Sequence, residues 1–140
     1  MISIVKTTKK DSKDFYDKEW ANADVEHYGK VGNWKAKTFR YKAISNGEIV
    51  GFLKFEYTNG VACIHSLIIA GKSRDLGIGG RLIEFAEEKI KELGAHKIWL
   101  ITGKGWKSVE FYEKHGYKQA GNLENHYLNH DFIIFTKFLK

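Results

Sequence analysis

The stretch that decides the fold is residues 67–81, which read LIIAGKSRDLGIGGR. Its first apolar residues are typical of the end of a buried strand, and the glycines at 77, 79 and 80 lie where a helix begins. The first N–H groups of a helix have no intrahelical acceptor, and the helix dipole adds partial positive charge there. Glycines at this place leave the backbone accessible to a ligand. The stretch therefore predicts an anion site at a strand-to-helix junction.

Two phosphate-loop patterns do not fit this stretch. The dinucleotide pattern GxGxxG would begin at Gly77 but needs glycine where Leu82 stands. The P-loop pattern GxxxxGK[ST] would end at residues 71–73, but its first glycine would fall on Ser66. The pattern that remains is RxxGxG over residues 74–79, after an apolar strand.

Two Asn-Gly pairs, Asn46-Gly47 and Asn59-Gly60, separate three runs of strand-like residues. Asn-Gly favours the two positive φ angles of a type I′ hairpin turn. We therefore predict a three-stranded antiparallel meander over roughly residues 38–70. The run ISIVKTT at residues 2–8 also alternates apolar and polar side chains, which predicts an earlier strand. Residues 11–37 are expected to form one or two short helices and a loop.

One long segment has a helical period. Apolar residues recur every three to five positions over residues 78–93, while charged residues fill the other face. Glu87 and Lys91 are spaced to form an ion pair across one turn. Gly94 is placed to end the helix in the left-handed conformation. The segment is therefore predicted to be an amphipathic helix that covers one face of a sheet.

The rest of the chain completes an alternating pattern. A strand over residues 97–102 and a short helix over 107–115 are followed by a final hairpin. The predicted order is β-α-βββ-α-β-α-ββ, which indicates an α/β domain on a mixed sheet. The long helix is expected to form a crossover between two parallel strands. No linker is visible, so residues 1–140 are predicted to be a single domain.

The composition restricts the class of protein. The chain has 140 residues and a net charge of +6, with 43% hydrophobic and 29% charged residues, which excludes a disordered chain. The one cysteine, Cys63, excludes an internal disulfide framework and favours a cytoplasmic location. No run predicts a membrane span or a signal segment. The positive charge favours an anionic partner, either a nucleic acid or a phosphorylated cofactor.

A second motif lies one helix and one strand after the first. Residues 108–117 read SVEFYEKHGY. Together with RxxGxG at 74–79, in this order and on these predicted elements, it resembles the acetyl-CoA signatures of the GNAT superfamily of N-acetyltransferases. The resemblance spans about residues 38–139. It implies a mixed, mostly antiparallel sheet with a central pair of parallel strands that splay apart, flanked by helices.

Three positions depart from the family pattern. Gly71 stands where proline is usual, Asp75 where glycine is usual, and Gly105 where the second motif often begins with asparagine. The first two lie in a turn that binds through its backbone, so the expected cofactor site is unchanged. No coenzyme A contact is expected at Gly105, because the asparagine side chain is absent.

The resemblance implies acetyl-CoA as co-substrate. The strand end would pair with the pantetheine arm through its backbone, and the loop and first helical turn would hold the pyrophosphate, with Lys72 or Arg81 nearby. No metal is expected, since His126 and His130 lie in a predicted hairpin loop. The residues expected to bind the cofactor are Leu67, Ile68, Ile69, Arg74, Asp75, Leu76, Gly77, Ile78, Gly79 and Gly80.

The resemblance makes Tyr112 the general acid that protonates the departing thiolate; the alternative is a tyrosine that only packs on the sheet. The general base is less well defined. His65 is a candidate, because imidazoles titrate near neutral pH, and a hydrogen-bonded strand histidine without a catalytic role is its alternative. Glu56 on the preceding strand is a third choice. Cys63, which aligns with the family's base strand, is more typical of a small core residue.

The predicted function is acetyl transfer from acetyl-CoA to a primary amine by direct attack in a ternary complex. The acceptor, a small molecule or a peptide or protein, is left open, and a homodimer is compatible with the fold. No membrane partner is expected. Two other classes of function remain as alternatives: a non-catalytic coenzyme A-binding or sensing domain, and a basic nucleic-acid-binding module. The second is disfavoured because no helix-turn-helix, zinc finger or RNP-type strand is present.

Overall fold

The computed structural model describes residues 1–140, which form two compact units, Met1–Trp34 and Lys35–Lys140. Most of the first unit is helix α1, Lys9–Tyr28. The helix begins after Thr8, whose hydroxyl accepts a hydrogen bond from the backbone N–H of Asp11 at 3.1 Å. A side-chain oxygen at this position satisfies one of the free N–H groups of the first turn.

A buried carboxylate fixes the segment that follows α1. The helix ends at Gly29, which has the left-handed conformation with φ 78°. Asp24 is 3% exposed and accepts hydrogen bonds from the Gly32 N–H at 2.9 Å and the Trp34 indole N–H at 2.7 Å. Burial of a charge is costly unless it is hydrogen-bonded, so these contacts hold the turn in place. One 20-residue helix thus stands where one or two short helices were predicted.

The predicted strand over residues 2–8 is wrong. These residues are exposed and have no regular secondary structure. Alternation of apolar and polar side chains produces a strand only where a neighbouring strand pairs with its backbone, and the sheet contains no strand from this segment. The helix cap at Thr8 is the local signal that the structure follows instead.

The second unit contains six strands and two α-helices. Their bounds are β1 Lys37–Ser45, β2 Glu48–Thr58, β3 Val61–Ile69, α2 Ile78–Glu92, β4 Lys97–Gly103, α3 Lys107–Lys114, β5 Lys118–Leu123 and β6 Phe132–Phe138. The strands form one sheet in the order β1-β2-β3-β4-β6-β5. Only β3 and β4 pair in parallel, around the crossover helix α2. The predicted mixed, mostly antiparallel sheet is confirmed.

Both predicted hairpin turns are confirmed. Asn46 and Gly47 have φ values of 51° and 77°, and Asn59 and Gly60 have 48° and 87°. Two successive positive φ angles define the type I′ turn, whose twist matches that of the flanking strands. The meander β1-β2-β3 is therefore fixed by local sequence.

The core lies on the face of the sheet that α2 and α3 cover. Helix α2 contributes Leu82, Ile83, Ala86 and Ile90 to it. A Cβ at Gly51 on β2 would lie 2.9 Å from Leu82 Cδ1, so the helix approaches the sheet more closely than a side chain there would allow. The strand residues of the core are Leu53, Phe55, Ala62, Ile64, Ile98, Leu100, Ile133 and Phe135.

None of the helices combines the length and the hydropathy that a membrane span requires.

Candidate active site

The two parallel strands separate soon after they meet. β3 pairs with β4 only where Val61, Ala62 and Cys63 face Lys97, Ile98 and Trp99. Beyond this point β3 stays paired with β2, while β4 stays paired with β6. We call the space between residues 64–69 of β3 and residues 100–103 of β4 the wedge. It exposes a strand edge in the middle of the sheet, as the family resemblance implied.

Hydrogen bonding along β3 decides which backbone groups face the wedge. The N–H of Ala70 donates to the carbonyl of Val50 at 2.8 Å, and alternate residues of an antiparallel strand face the same neighbour. Ile68 therefore directs its backbone groups toward β2. Leu67 and Ile69 direct theirs into the wedge. Of the three predicted strand residues, these two direct an N–H and a carbonyl toward the wedge.

The loop after β3 turns the chain into α2 through two left-handed residues. Residues Gly71–Ser73 form a single 3₁₀ turn, and Asp75 and Gly77 follow with φ values of 65° and 79°. Leu76 between them is exposed. No side chain caps α2, so the N–H groups of its first turn, residues 78–80, have no acceptor within the helix. The stretch predicted to bind an anion is thus a loop followed by a helical turn whose N–H groups have no acceptor within the helix.

The two sequence motifs touch each other at the glycines. A Cβ at Gly79 would lie 3.2 Å from Phe111 Cε1 and 3.8 Å from Ile69 Cγ1. A Cβ at Gly80 would lie 3.6 Å from His115 Cε1. Gly79 therefore lets α3 and β3 approach the start of α2, a packing role that the sequence did not reveal. The contact brings α3 beside the loop.

Three cationic side chains surround the loop. Arg74 Nε donates to the Ile69 carbonyl at 3.4 Å, at the mouth of the wedge. Lys72 Nζ forms an exposed ion pair with Glu48 Oε2 at 2.6 Å, and Arg81 is exposed on the first turn of α2. An exposed ion pair contributes little, so Lys72 can exchange its partner for another anion.

Tyr112 lies on α3 among aromatic rings. Its ring centroid is 5.1 Å from that of Phe111, 5.6 Å from that of Tyr117 and 5.9 Å from that of Phe135. Burial raises the pKa of Tyr112 to about 12. The Tyr112 hydroxyl has no hydrogen-bond partner within the protein. Every fully buried side-chain oxygen does have a partner, so the Tyr112 oxygen is not fully buried and reaches solvent. The phenol is protonated at neutral pH and accessible to a proton acceptor.

The candidate bases lie together beside a β-bulge. Lys54 faces Ser66, but the next residue of β2, Phe55, faces Ile64, so His65 is the extra residue. His65 Nε2 lies 3.3 Å from Glu56 Oε2. The two candidates that the sequence left as alternatives therefore form one pair.

The sequence matches the Acetyltransferase (GNAT) family over residues 5–117. The chain belongs to the GNAT family. A curated relative, the aminoalkylphosphonate N-acetyltransferase of Salmonella typhimurium, is 32% identical over 85 residues. The match covers 56% of this chain and 55% of the relative, so the chain spans about half the length of that protein.

Solved GNAT structures share the fold over nearly the whole chain. An acetyltransferase from Bacillus cereus ATCC 14579 has a TM-score of 0.77 at 21% identity and covers 98% of both chains. A GNAT family acetyltransferase from Elizabethkingia anophelis with acetyl-CoA bound has a TM-score of 0.67 at 20% identity. The match covers 99% of this chain and 95% of that chain. At these identities the likeness shows the GNAT fold.

The cysteine of this GNAT protein is not a reactive thiol. Cys63 is half-buried, and its Sγ lies 3.9 Å from His65 Nδ1. Burial, and secondarily the charge of Glu56, raises the pKa of Cys63 to about 11. The thiol therefore stays protonated near neutral pH, and a protonated thiol is a poor nucleophile.

A partly buried polar network that reaches the end of α3 was not predicted from the sequence. Glu87 was expected to pair with Lys91, but it accepts from the Tyr117 hydroxyl at 2.8 Å and from Lys137 Nζ at 3.0 Å. Lys137 Nζ also donates to the carbonyl of His115 at 2.8 Å. Burial, together with the charge of Glu87, raises the pKa of Tyr117 above its ordinary range. The network ties α2, the end of α3 and β6 together, a contact 50 residues apart in sequence.

Proposed function

We propose that this protein transfers an acetyl group from acetyl-CoA to a primary amine, by direct attack in a ternary complex. The observation that carries the proposal is the wedge, which opens at the loop that precedes the first turn of α2. A strand edge offers amide partners, and a helix N-terminus offers N–H groups to phosphate. Acyl-CoA is a ligand that has both a chain of amides and a pyrophosphate.

The residues present fit such a ligand. The N–H groups of residues 76–80 would hold the pyrophosphate, with Arg74 beside them, since Gly77, Gly79 and Gly80 place no side chain over the backbone. The backbone of Leu67 and Ile69 would pair with the pantetheine arm. Acetyl-CoA, when bound, supplies a thioester carbonyl that is open to nucleophilic attack.

Two side chains are assigned to proton transfer. We assign His65, supported by Glu56 at 3.3 Å, to accept the proton of the attacking amine, directly or through a water. We assign Tyr112 to protonate the thiolate. Its raised pKa makes it a weaker acid, but the same low-dielectric surroundings also raise the basicity of a thiolate beside it. The proton therefore moves between two groups whose pKa values are both raised by burial.

Direct attack fits better than an acetyl-cysteine intermediate. Cys63 is the one cysteine of the chain, and burial keeps its thiol protonated near neutral pH. A covalent route would need the thiolate. The amine is therefore the nucleophile that attacks the thioester.

For the acceptor we propose a small primary amine. The curated relative is named for aminoalkylphosphonates, which carry an amine and an anionic group, and the net charge of +6 favours such an acceptor over a polycation. We also propose that residues 1–140 act as one N-acetyltransferase domain in the cytoplasm, as the composition predicts.

Release of the coenzyme A thiol tests this function. The protein is incubated with acetyl-CoA and, in turn, 2-aminoethylphosphonate, spermidine, an aminoglycoside and a peptide with a free N-terminus, and the N-acetyl product is identified by mass spectrometry. We expect amine-dependent thiol release, fastest with the aminophosphonate. Binding of acetyl-CoA without thiol release for any amine would favour a sensing domain. Salt-sensitive binding of nucleic acid without acetyl-CoA affinity would favour a nucleic-acid-binding module.

A further inference from the structure

The imidazole of His115 lies against the first turn of α2. A Cβ at Gly80 would lie 3.6 Å from His115 Cε1 and 3.7 Å from His115 Nε2, so the tip of the ring faces the helix at this residue. Gly80 is the third residue of α2. Its N–H is one of those that have no acceptor within the helix. The ring tip therefore lies beside a residue whose N–H has no acceptor within the helix.

His115 is held in place, but its ring nitrogens are not used. Its N–H donates to the carbonyls of Phe111 and Tyr112 at 3.2 and 3.1 Å, and its carbonyl accepts from Lys137 Nζ at 2.8 Å. The ring packs on Phe111 with centroids 4.6 Å apart. Neither ring nitrogen has a hydrogen-bond partner within the protein. A fixed, half-buried imidazole thus has its hydrogen-bonding atoms free beside an anion site.

We infer that His115 Nε2 binds a phosphoryl group of coenzyme A, together with the N–H groups of the first turn of α2. The inference rests on the proposed function and deepens it, because it assigns to the second motif a part in binding the phosphates. A protonated imidazole donates from both nitrogens and carries a positive charge. The charge-assisted bond to phosphate is therefore strongest in the protonated form.

The charged groups near the ring lie on two elements. On α2, Glu84 lies one turn after Gly80 and therefore on the same face, and Glu87 continues that face. On β6, Lys137 forms an ion pair with Glu87 at 3.0 Å. A protonated imidazole binds phosphate more strongly than a neutral one, because the bond is then charge-assisted. A contact between His115 and a phosphoryl group should therefore make cofactor affinity depend on pH.

Calorimetry with coenzyme A at pH 6 and pH 8 tests the inference. The comparison uses the wild type, His115→Gln and, as a matched control, the exposed His130→Gln. We expect His115→Gln to bind about tenfold more weakly at pH 6 and to lose most of the decrease in affinity between pH 6 and pH 8. The titration of the cofactor's own phosphates contributes equally to the decrease in each protein, so it cancels when the decreases of two proteins are compared. His115→Lys, charged at both pH values, should keep high affinity at pH 8.

Shortened ligands locate the phosphoryl group. If the pyrophosphate is the partner, the difference between wild type and His115→Gln persists with 3′-dephospho-coenzyme A; if the 3′-phosphate is the partner, that ligand abolishes it. With pantetheine the difference should vanish in either case. An equal pH dependence in the wild type and His115→Gln, or a difference that persists with pantetheine, overturns the inference while the proposed function stands. No affinity of the wild type for coenzyme A overturns both.

Discussion

The loop at residues 70–80 and the side chains assigned to proton transfer, Glu56, His65 and Tyr112, are built on opposite principles. The loop offers backbone N–H groups, and its glycines matter because a Cβ would meet Phe111 at Gly79. The proton-transfer side chains are a carboxylate, an imidazole and a phenol on three different elements. Changes in the loop should therefore alter cofactor affinity. Changes in the proton-transfer side chains that keep the shape of the side chain should alter the rate of the chemical step.

The largest effect is expected from Tyr112→Phe, which removes the hydroxyl and keeps the ring contacts. If the hydroxyl protonates the thiolate, the single-turnover rate should fall by about 10²-fold while acetyl-CoA affinity stays near normal. Stopped-flow mixing under single-turnover conditions avoids a limit set by product release. Equal single-turnover rates in both proteins would leave Tyr112 as a packing residue only.

The raised pKa of Tyr112 gives the same residue a pH signature. The acid must be protonated, and burial raises its pKa to about 12. The wild-type single-turnover rate should therefore stay flat on the alkaline side up to about pH 10, where an exposed phenol would already be half ionised. A decline that begins near neutral pH and is absent in Tyr112→Phe would contradict this assignment.

The next effect concerns the loop. Gly79→Asp places a Cβ 3.2 Å from Phe111 Cε1 and a negative charge beside the phosphate site, so acetyl-CoA affinity should fall by about tenfold or more. Gly71→Asp is the matched control, because a Cβ there meets nothing within 4 Å. This variant should lose less affinity for acetyl-CoA than Gly79→Asp. Calorimetry measures both, after thermal unfolding has shown that each variant is folded. Unchanged affinity in a folded Gly79→Asp protein would remove the phosphate site from this loop.

A smaller effect is expected from Glu56→Gln, which removes the carboxylate 3.3 Å from His65 Nε2. The carboxylate stabilises the imidazolium that forms when His65 accepts a proton, so kcat should fall by about tenfold, with acetyl-CoA affinity unchanged. Glu92→Gln, on the exposed end of α2, controls for the loss of a charge. The same decrease in both variants would exclude the pair as the base.

The smallest effect should come from Cys63→Ala. The raised pKa of this thiol, about 11, keeps it out of the reaction, so kcat should change by about twofold at most. Loss of activity, together with an acetylated Cys63 in quenched wild-type protein by mass spectrometry, would replace direct attack with a covalent route.

The features predicted from the sequence are those set by local signals. Two Asn-Gly turns fixed the meander, Gly94 stands after α2 with a φ value of 88°, and the RxxGxG stretch located the loop. In each case neighbours in sequence determine the conformation. The GNAT fold follows from these local elements because a β-α-β crossover restricts how they can be connected.

The features that were missed depend on partners far apart in the chain. The strand predicted over residues 2–8 had the right alternation, but no strand pairs with it. Glu87 has its partner on β6 rather than one turn away. The pairing of Glu56 with His65 joins two strands beside a bulge that shifts the register by one residue, and no short-range pattern encodes that shift.

Amide hydrogen exchange, followed residue by residue by NMR, tests the central claim most directly. We predict that coenzyme A slows exchange at the N–H groups of Leu67 and Ile69 and of residues 76–80, because these groups would donate to the ligand. The outer strands β1 and β5 should not change. Coenzyme A binding that leaves the exchange at Leu67, Ile69 and residues 76–80 as fast as in the free protein would contradict a backbone-built cofactor site.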